Sequence, residues 1–335
     1  LVISGIGGVS APGFIVEKLM GTPMAEVEGK FRLVTRSDFD GLVCAVLFRE
    51  LEVIDEIKFV HPKDVQDGLV LLSENDITAN LPFDRRVQRA FDHHSSETIR
   101  LDRMPDNYIN KPTARSAARV VYDYYGGKDA FPGVTDELMG AVDRSDSAQF
   151  SMEEVLQPTG WAMLNFIMDS RTGLGRFKSF RVSNYQLMME LIELCRDRDI
   201  EEILQHPDVQ ERIELYNLHK EKFTEQLRRC TTQHDNLIVL DLRQEKIIYA
   251  GNRFMIYALY PDPNISIHAI WGLEQLNTVY AVGKSIFNRT SGTNIGELVL
   301  QYGGGGHEAA GTCQVNNDDA PWILSELIEK ITAGG

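Results

Sequence analysis

Phe31-Arg32-Leu33-Val34-Thr35-Arg36-Ser37-Asp38-Phe39-Asp40-Gly41 sets the pattern for the first half of the chain. It opens on a short, largely apolar run, the mark of a buried strand, and residues 42–51 behind it carry the spacing of a helix. The same alternation recurs downstream. Residues 57–61 and 68–73 read as further buried strands, 89–92 as the end of another, and 114–125 as a helix. Alternation of this kind predicts an α/β fold with a parallel sheet and helices on both faces. Such sheets bind ligands beyond the carboxyl ends of their strands.

Asp38 and Asp40 leave the first strand two positions apart. In extended backbone such residues point the same way, so both carboxylates can face one point. Held ~6 Å apart at an effective dielectric of ~20 they would repel by roughly 3 kcal/mol, a cost that a bound dication removes. Gly41 lets the helix begin close to that point. Asp76 stands after the apolar run 69–72, where a strand is expected to end. Asp92-His93-His94 follows Ala90-Phe91 at another expected strand end. The two imidazoles point to opposite sides of an extended chain, so one ligates a metal while its neighbour reaches substrate. Asp92 beside them orients an imidazole and raises its basicity. Asp143 and Asp146 follow an apolar helical stretch, and either completes the cluster. Carboxylates with an imidazole suit Mn²⁺, with Mg²⁺ or Co²⁺ as substitutes.

Residues 151–235 read as mostly helical. Ser183 with Gln186 is a capping box ahead of a stripe of Leu187, Met188, Leu191, Ile192 and Cys195, and Asp208 with Glu211 repeats the device. From about residue 237 strands return, at 237–242, 246–250, 265–271 and 278–282, with a helix over 295–302. The organisation expected is therefore a metal-binding lobe over 31–150, a helical connector over 151–235 and a smaller α/β lobe over 236–335, with the active-site cleft between the lobes. Residues 1–30 read as a leader or remnant: uncharged from 1 to 16, interrupted by glycine and proline, and without the basic start of a secretory signal.

In the second lobe, Gly303, Gly304, Gly305, Gly306 and His307 form a run that is costly to order. It is expected where backbone must approach a ligand closely, its N–H groups making an anion nest. Lys284 and Arg289 precede it and suit phosphate oxygens. Arg171, Arg176, Lys178 and Arg181 make a basic, glycine-punctuated stretch expected to line the cleft.

The chain has 335 residues and a formal net charge of −15. Such a surface repels duplex nucleic acid and anionic lipid, but not a small or single-stranded phosphate compound held at a metal. Four scattered cysteines without a CxxC pair argue against a disulfide scaffold or structural zinc and point to a reducing, cytoplasmic setting. No apolar run reaches the ~18 residues needed to span a bilayer.

These motifs together resemble the DHH phosphoesterase family, from about residue 31 to 315. Asp38-Phe39-Asp40-Gly41 is similar to its first motif, Asp76 to its second, Asp92-His93-His94 to its third, Asp146 to its fourth, and Gly303–His307 with Ala309-Ala310-Gly311 to the glycine signature of the associated C-terminal domain. The branch most similar is the exopolyphosphatase-like one. The resemblance implies that Asp38, Asp40, Asp76, His93 and Asp146 bind one or two metals, with Asp76 bridging. Asp92 supports the histidines, and His94, Arg289 and His307 face phosphate. It implies hydrolysis of polyphosphate, a short oligonucleotide or a small nucleotide by metal-activated water, in a chain that can form a homodimer. The sequence departs from the family at Val34-Thr35-Arg36-Ser37, which lacks the usual metal-binding histidine. Arg36 then supplies positive charge instead, and a binding protein with weak or no catalysis is the alternative.

Overall fold

The computed structural model describes residues 30–94, 103–177 and 179–334. The segment read as a leader lies outside these residues except for Lys30, as does Lys178 of the basic stretch. Five parallel strands, β1 (Phe31–Arg36), β2 (Ile54–Val60), β3 (Asp76–Ala79), β4 (Arg89–Asp92) and β5 (Tyr108–Asn110), form the first sheet in the order β2-β1-β3-β4-β5. Parallel pairing requires crossovers that cover the faces. Helices α1 (Phe39–Glu50) and α2 (Pro62–Gln66) lie in such crossovers, and α3 (Ala117–Tyr125) and α4 (Asp136–Asp146) follow the last strand.

Helix α1 is buried from Phe39 to Phe48, against the sheet on one side and other helices on the rest. A helix apolar all round belongs in the middle of a core. Its start is pinned by Gly41, where a Cβ would lie 1.9 Å from the Arg36 carbonyl oxygen. Glycine is thus required by close packing, which brings the first turn of α1 hard against the end of β1.

The connector contains α5 (Met152–Leu156), α6 (Gly160–Met168), α7 (Asn184–Asp197), α8 (Ile200–Leu204) and the long α9 (Pro207–Cys230). The Ser183–Gln186 capping box is present, and all five residues of the expected stripe are buried. Asp208 does not cap α9. Pro207 already opens that helix behind His206, and the Asp208 carboxylate is held instead by Arg181.

The second lobe is a six-stranded mixed sheet, ordered β10-β11-β9-β8-β7-β6. Its strands are β6 (Thr231–His234), β7 (Leu237–Asp241), β8 (Ile265–Trp271), β9 (Thr278–Lys284), β10 (Gly305–His307) and β11 (Ala310–Val315). Helices α10 (Met255–Leu259), α11 (Ile295–Leu300) and α12 (Ala320–Gly334) complete it. Phe150, Val155, Phe166, Phe223, Leu227, Ile238, Leu240 and Phe254 share one buried cluster, so connector and second sheet are packed together.

Three expectations fail locally. Residues 246–250 form no strand, and β6 begins where helix was expected to continue. Residues 68–73 are also no strand: Leu69 and Leu71 are 73% and 81% exposed, which no buried strand allows. The strand comes later and starts at Asp76, with Asp76 opposite Arg32 in register. Asp76 therefore sits at the amino end of the sheet, away from Asp38 and Asp40. It is no metal ligand; its carboxylate accepts hydrogen bonds from Arg32 Nε (2.7 Å) and from the Ser73 amide (2.7 Å). Asp76→Ala removes charge-assisted bonds each worth about 2 kcal/mol. Urea titration should show a loss of that order with bound metal unchanged, and loss of metal from a folded variant would contradict this placement.

Candidate active site

The carboxyl ends of β1, β3 and β4 and the last turn of α4 meet at one point. Asp40, in the first turn of α1, has both oxygens committed: the backbone N–H groups of Ala117 and Ala118 donate to them at 2.9 and 2.8 Å. These are the first amides of α3, capped by Ser116, and a helix start is a natural seat for a carboxylate. His93 Nδ1 lies 3.3 Å from the Ala114 carbonyl oxygen, an acceptor that requires the proton on Nδ1. Nε2 is left facing the carboxylates, 3.1 Å from Asp146 Oδ2 and 3.9 Å from Asp40 Oδ2.

That imidazole nitrogen is the test of whether the residues suit a cation. It is buried, and the Asp146 contact is not directed as a hydrogen bond. One ligand atom each from Asp40, His93 and Asp146 lies within 4.8 Å of the others. A lone-pair donor and two carboxylates converging without hydrogen bonds among them match the donor set of a divalent ion. Asp143, the other candidate from its helix, is withdrawn: Ser116 Oγ donates to it at 2.8 Å and Arg119 Nη2 at 2.7 Å.

Asp38 lies beside this group without joining it. It caps α1 by accepting from the Gly41 amide at 2.9 Å, while Asn80 Nδ2 donates to it at 3.1 Å and Arg36 Nε stands 2.8 Å away. Asp92 is buried and holds its neighbours in place. It accepts from the His93 amide (2.9 Å), from His94 Nδ1 (2.6 Å) and from the Tyr108 hydroxyl (2.9 Å). His94 thus keeps Nε2 free, and its ring stacks on that of His307 from the second lobe, with centroids 4.7 Å apart. Arg36, Asn80, His94 and His307 line a recess of about 110 Å³.

The glycine run is not a nest. Gly305–His307 is an edge strand paired antiparallel to β11. A Cβ at Gly304 would meet the Thr312 carbonyl at 2.4 Å, and one at Gly306 would meet that of Ala310 at 2.3 Å, whereas at Gly305 it meets nothing within 4 Å. Three of the four glycines are required by geometry: Gly303 by its φ of 73°, and Gly304 and Gly306 by their approach to β11. Lys284 pairs with Glu308 (3.1 Å) at the foot of this hairpin. Arg289 does not point freely at phosphate: its guanidinium donates to the carbonyls of Ile286 and Ala148, both at 3.0 Å, which ties the second lobe to the residues just after Asp146.

On the other side of the hairpin is a cavity of about 520 Å³, lined by Arg171, Arg176, Arg253, His268, Tyr249 and the open Gly305, among others. Asp169 pairs with Arg171 (2.7 Å), and although burial opposes its ionisation, Arg171 and Arg253 hold its pKa down at about 2. Three of the four expected basic residues thus fall in two places: Arg171 and Arg176 at this cavity, Arg181 on Asp208. Asn80, Tyr108, Ser116, Arg253 and His268 had not been expected at the site. None belongs to a recognisable spacing; only the fold brings them there.

No protein-family model matches the sequence, and no curated protein matches it. Among solved structures, the chain is similar to the pGpG-specific phosphodiesterase PggH from Vibrio cholerae, with 57% sequence identity over 91% of this chain and 100% of that one, at a TM-score of 0.77. The chain belongs to the DHH phosphoesterase family. A Mn²⁺ complex of RecJ from Thermus thermophilus shares the fold, at 15% identity and a TM-score of 0.52 over 96% of this chain and 54% of that one. This DHH protein is accordingly a phosphoester hydrolase. No helix among its described residues is long and apolar enough to cross a membrane.

Without a cation, the DHH centre is electrostatically unfavourable. Burial first, and then Asp146, push the Asp40 carboxyl up to about 7. Burial works against a charged His93, but Asp146, Asp40 and Asp92 outweigh it and raise its pKa to about 9. A divalent ion requires ionised Asp40 and neutral His93, so both protons compete with it. Metal affinity should therefore rise as pH climbs through about 7 and on towards 9, with proton release shrinking over the same window. Calorimetric titration with Mn²⁺ in buffers of different ionisation enthalpy measures both; affinity flat across this range would contradict the assignment.

Proposed function

We propose that this DHH hydrolase cleaves a short linear dinucleotide of the pGpG kind into two mononucleotides, with Asp40, His93 and Asp146 holding a divalent ion, Mn²⁺ by preference and Mg²⁺ or Co²⁺ as substitutes. The observation that carries the reading is the adjacency of two unlike spaces across one glycine hairpin. The recess beside the metal ligands is small and lined by Arg36, His94 and His307, donors that suit one phosphodiester. The cavity behind Gly305 and Gly306 is larger, combines guanidinium groups with apolar and aromatic walls, and suits a nucleoside with its phosphate. Polyphosphate has no apolar part to place there. The likeness to PggH, named for pGpG, supports the same substrate class.

A divalent ion at the triad supplies a Lewis acid and lowers the pKa of water. The chain's own residues do the rest. His94 is kept proton-rich: burial opposes this, but the Asp92 carboxylate at its Nδ1 raises its pKa. Its Nε2 side then serves as a donor to a non-bridging phosphate oxygen. His307 is the reverse, lowered to about 4 by burial and by His94, and so remains neutral in the stack. Arg36 brings a permanent positive charge to the same recess. Attack of water on phosphorus breaks the bond to the 3′ oxygen and releases two 5′-mononucleotides, with charge on the equatorial oxygens met by these donors.

The test is product analysis with Mn²⁺ on pGpG, cyclic di-GMP, a longer oligoribonucleotide and polyphosphate. Consumption of pGpG to GMP ahead of the others is expected. Polyphosphate cleavage with pGpG untouched would reject the substrate class. Asp92→Asn, whose amide oxygen can still accept from the His93 N–H, should lower kcat by about 100-fold by loosening His94; unchanged kcat would show that the Asp92 carboxylate does not support catalysis through His94.

A further inference from the structure

We infer that this centre takes a single divalent ion, and that Arg36 and Asn80 occupy the place where a second ion would bind. The inference rests on the ligand set proposed above and departs from the bridged arrangement that the family resemblance implies.

Three observations carry it. First, a residue that bridges two ions from β3 must stand at the carboxyl end of that strand, beside Asp38. Asp76 is at the opposite end and tied to Arg32. The residue at the carboxyl end is Asn80, 1% exposed, held by its Nδ2 on Asp38 Oδ1. An amide brings no negative charge, and two dications about 3.5–4 Å apart need an anion between them.

Second, Asp38 is already neutralised. Gly41 and Asn80 donate to one of its oxygens, and Arg36 Nε is 2.8 Å from the other. The metal triad forms without it. An ion on Asp38 would have to displace or sit against a guanidinium that cannot lose its proton.

Third, the strand leading to Asp38 offers no replacement ligand. Val34 is fully buried in the apolar cluster on the far face of the sheet, and position 36 is the arginine itself. Charge balance agrees with this. With His93 neutral, the carboxylates of Asp38, Asp40 and Asp146 are offset by one guanidinium and one dication. A second dication would leave the pocket doubly positive before any phosphate arrives.

The guanidinium thus takes over what a second ion would do. Arg36 lines the recess with His94 and His307, placed to neutralise a phosphate oxygen.

The full-length protein, loaded with excess Mn²⁺ and freed of unbound ion, should contain about one Mn²⁺ per chain and give the electron paramagnetic resonance spectrum of isolated ions. Two ions per chain with an exchange-coupled spectrum would overturn the inference while leaving the Asp40–His93–Asp146 site intact. No bound ion at all would overturn that site and this inference together. The variant combining Arg36→His and Asn80→Asp should raise the count towards two; a folded double variant still holding one ion would show that these residues do not exclude the second.

Discussion

Two backbone hydrogen bonds, from the amides of Ala117 and Ala118 to the carboxylate of Asp40, are the constraint around which the centre is built. They aim the side chain of a residue on one helix by the start of another. Both helices reach that position through packing. Gly41 lets α1 touch the end of β1, and Ser116 caps α3 while also bonding Asp143. The Ala114 carbonyl, three residues before Ala117, sets the His93 tautomer. A single short segment, 114–118, thus orients two of the three proposed ligands. Apolar burial of α1 and α3 holds that segment rigid and keeps water from competing for its amides.

The second lobe approaches this point through contacts of a different kind. The His94–His307 stack and the Arg289–Ala148 hydrogen bond join an edge strand and a loop of the second lobe to residues just past β4 and α4, outside the buried clusters. Contacts at loop tips are cheaper to break than the shared aromatic cluster around Phe150 and Phe254.

Much of this was legible in the chain. Asp40, His93, His94 and His307 lie in motifs found by local spacing, and the structure brings them close together, with Asp38 beside the group but outside it. Ser183–Gln186 and its stripe were readable because helix period and capping are local. Asp76 shows where that legibility stops. An apolar run, 69–72, imitated a strand, and shifting the true strand downstream reversed which end of it the aspartate marked. Since strands here are parallel, the end of a strand decides whether a residue sees the ligand or the opposite rim of the sheet. Asn80 was invisible for the same reason: nothing in Ala79-Asn80-Leu81 signals chemistry until register sets it beside Asp38. Asp143 and Asp146 differ by three positions on one helix, and only the location of Arg119 and His93 separates a structural carboxylate from a ligand.

The stretch without a histidine before the first motif and the asparagine at the end of β3 lie on the same side of the centre, where the Arg36 guanidinium pairs with Asp38. The complete triad, the Asp92-supported His94 and the stacked His307 keep the hydrolytic equipment on the other side.

Anomalous diffraction from crystals soaked in Mn²⁺ measures the central claim most directly. The account places one strong peak within bonding distance, about 2.0–2.2 Å, of His93 Nε2 and of one oxygen each from Asp40 and Asp146. A peak centred between Asp38 and Asn80, or no peak at His93 in crystals that bind the ion elsewhere, would contradict it.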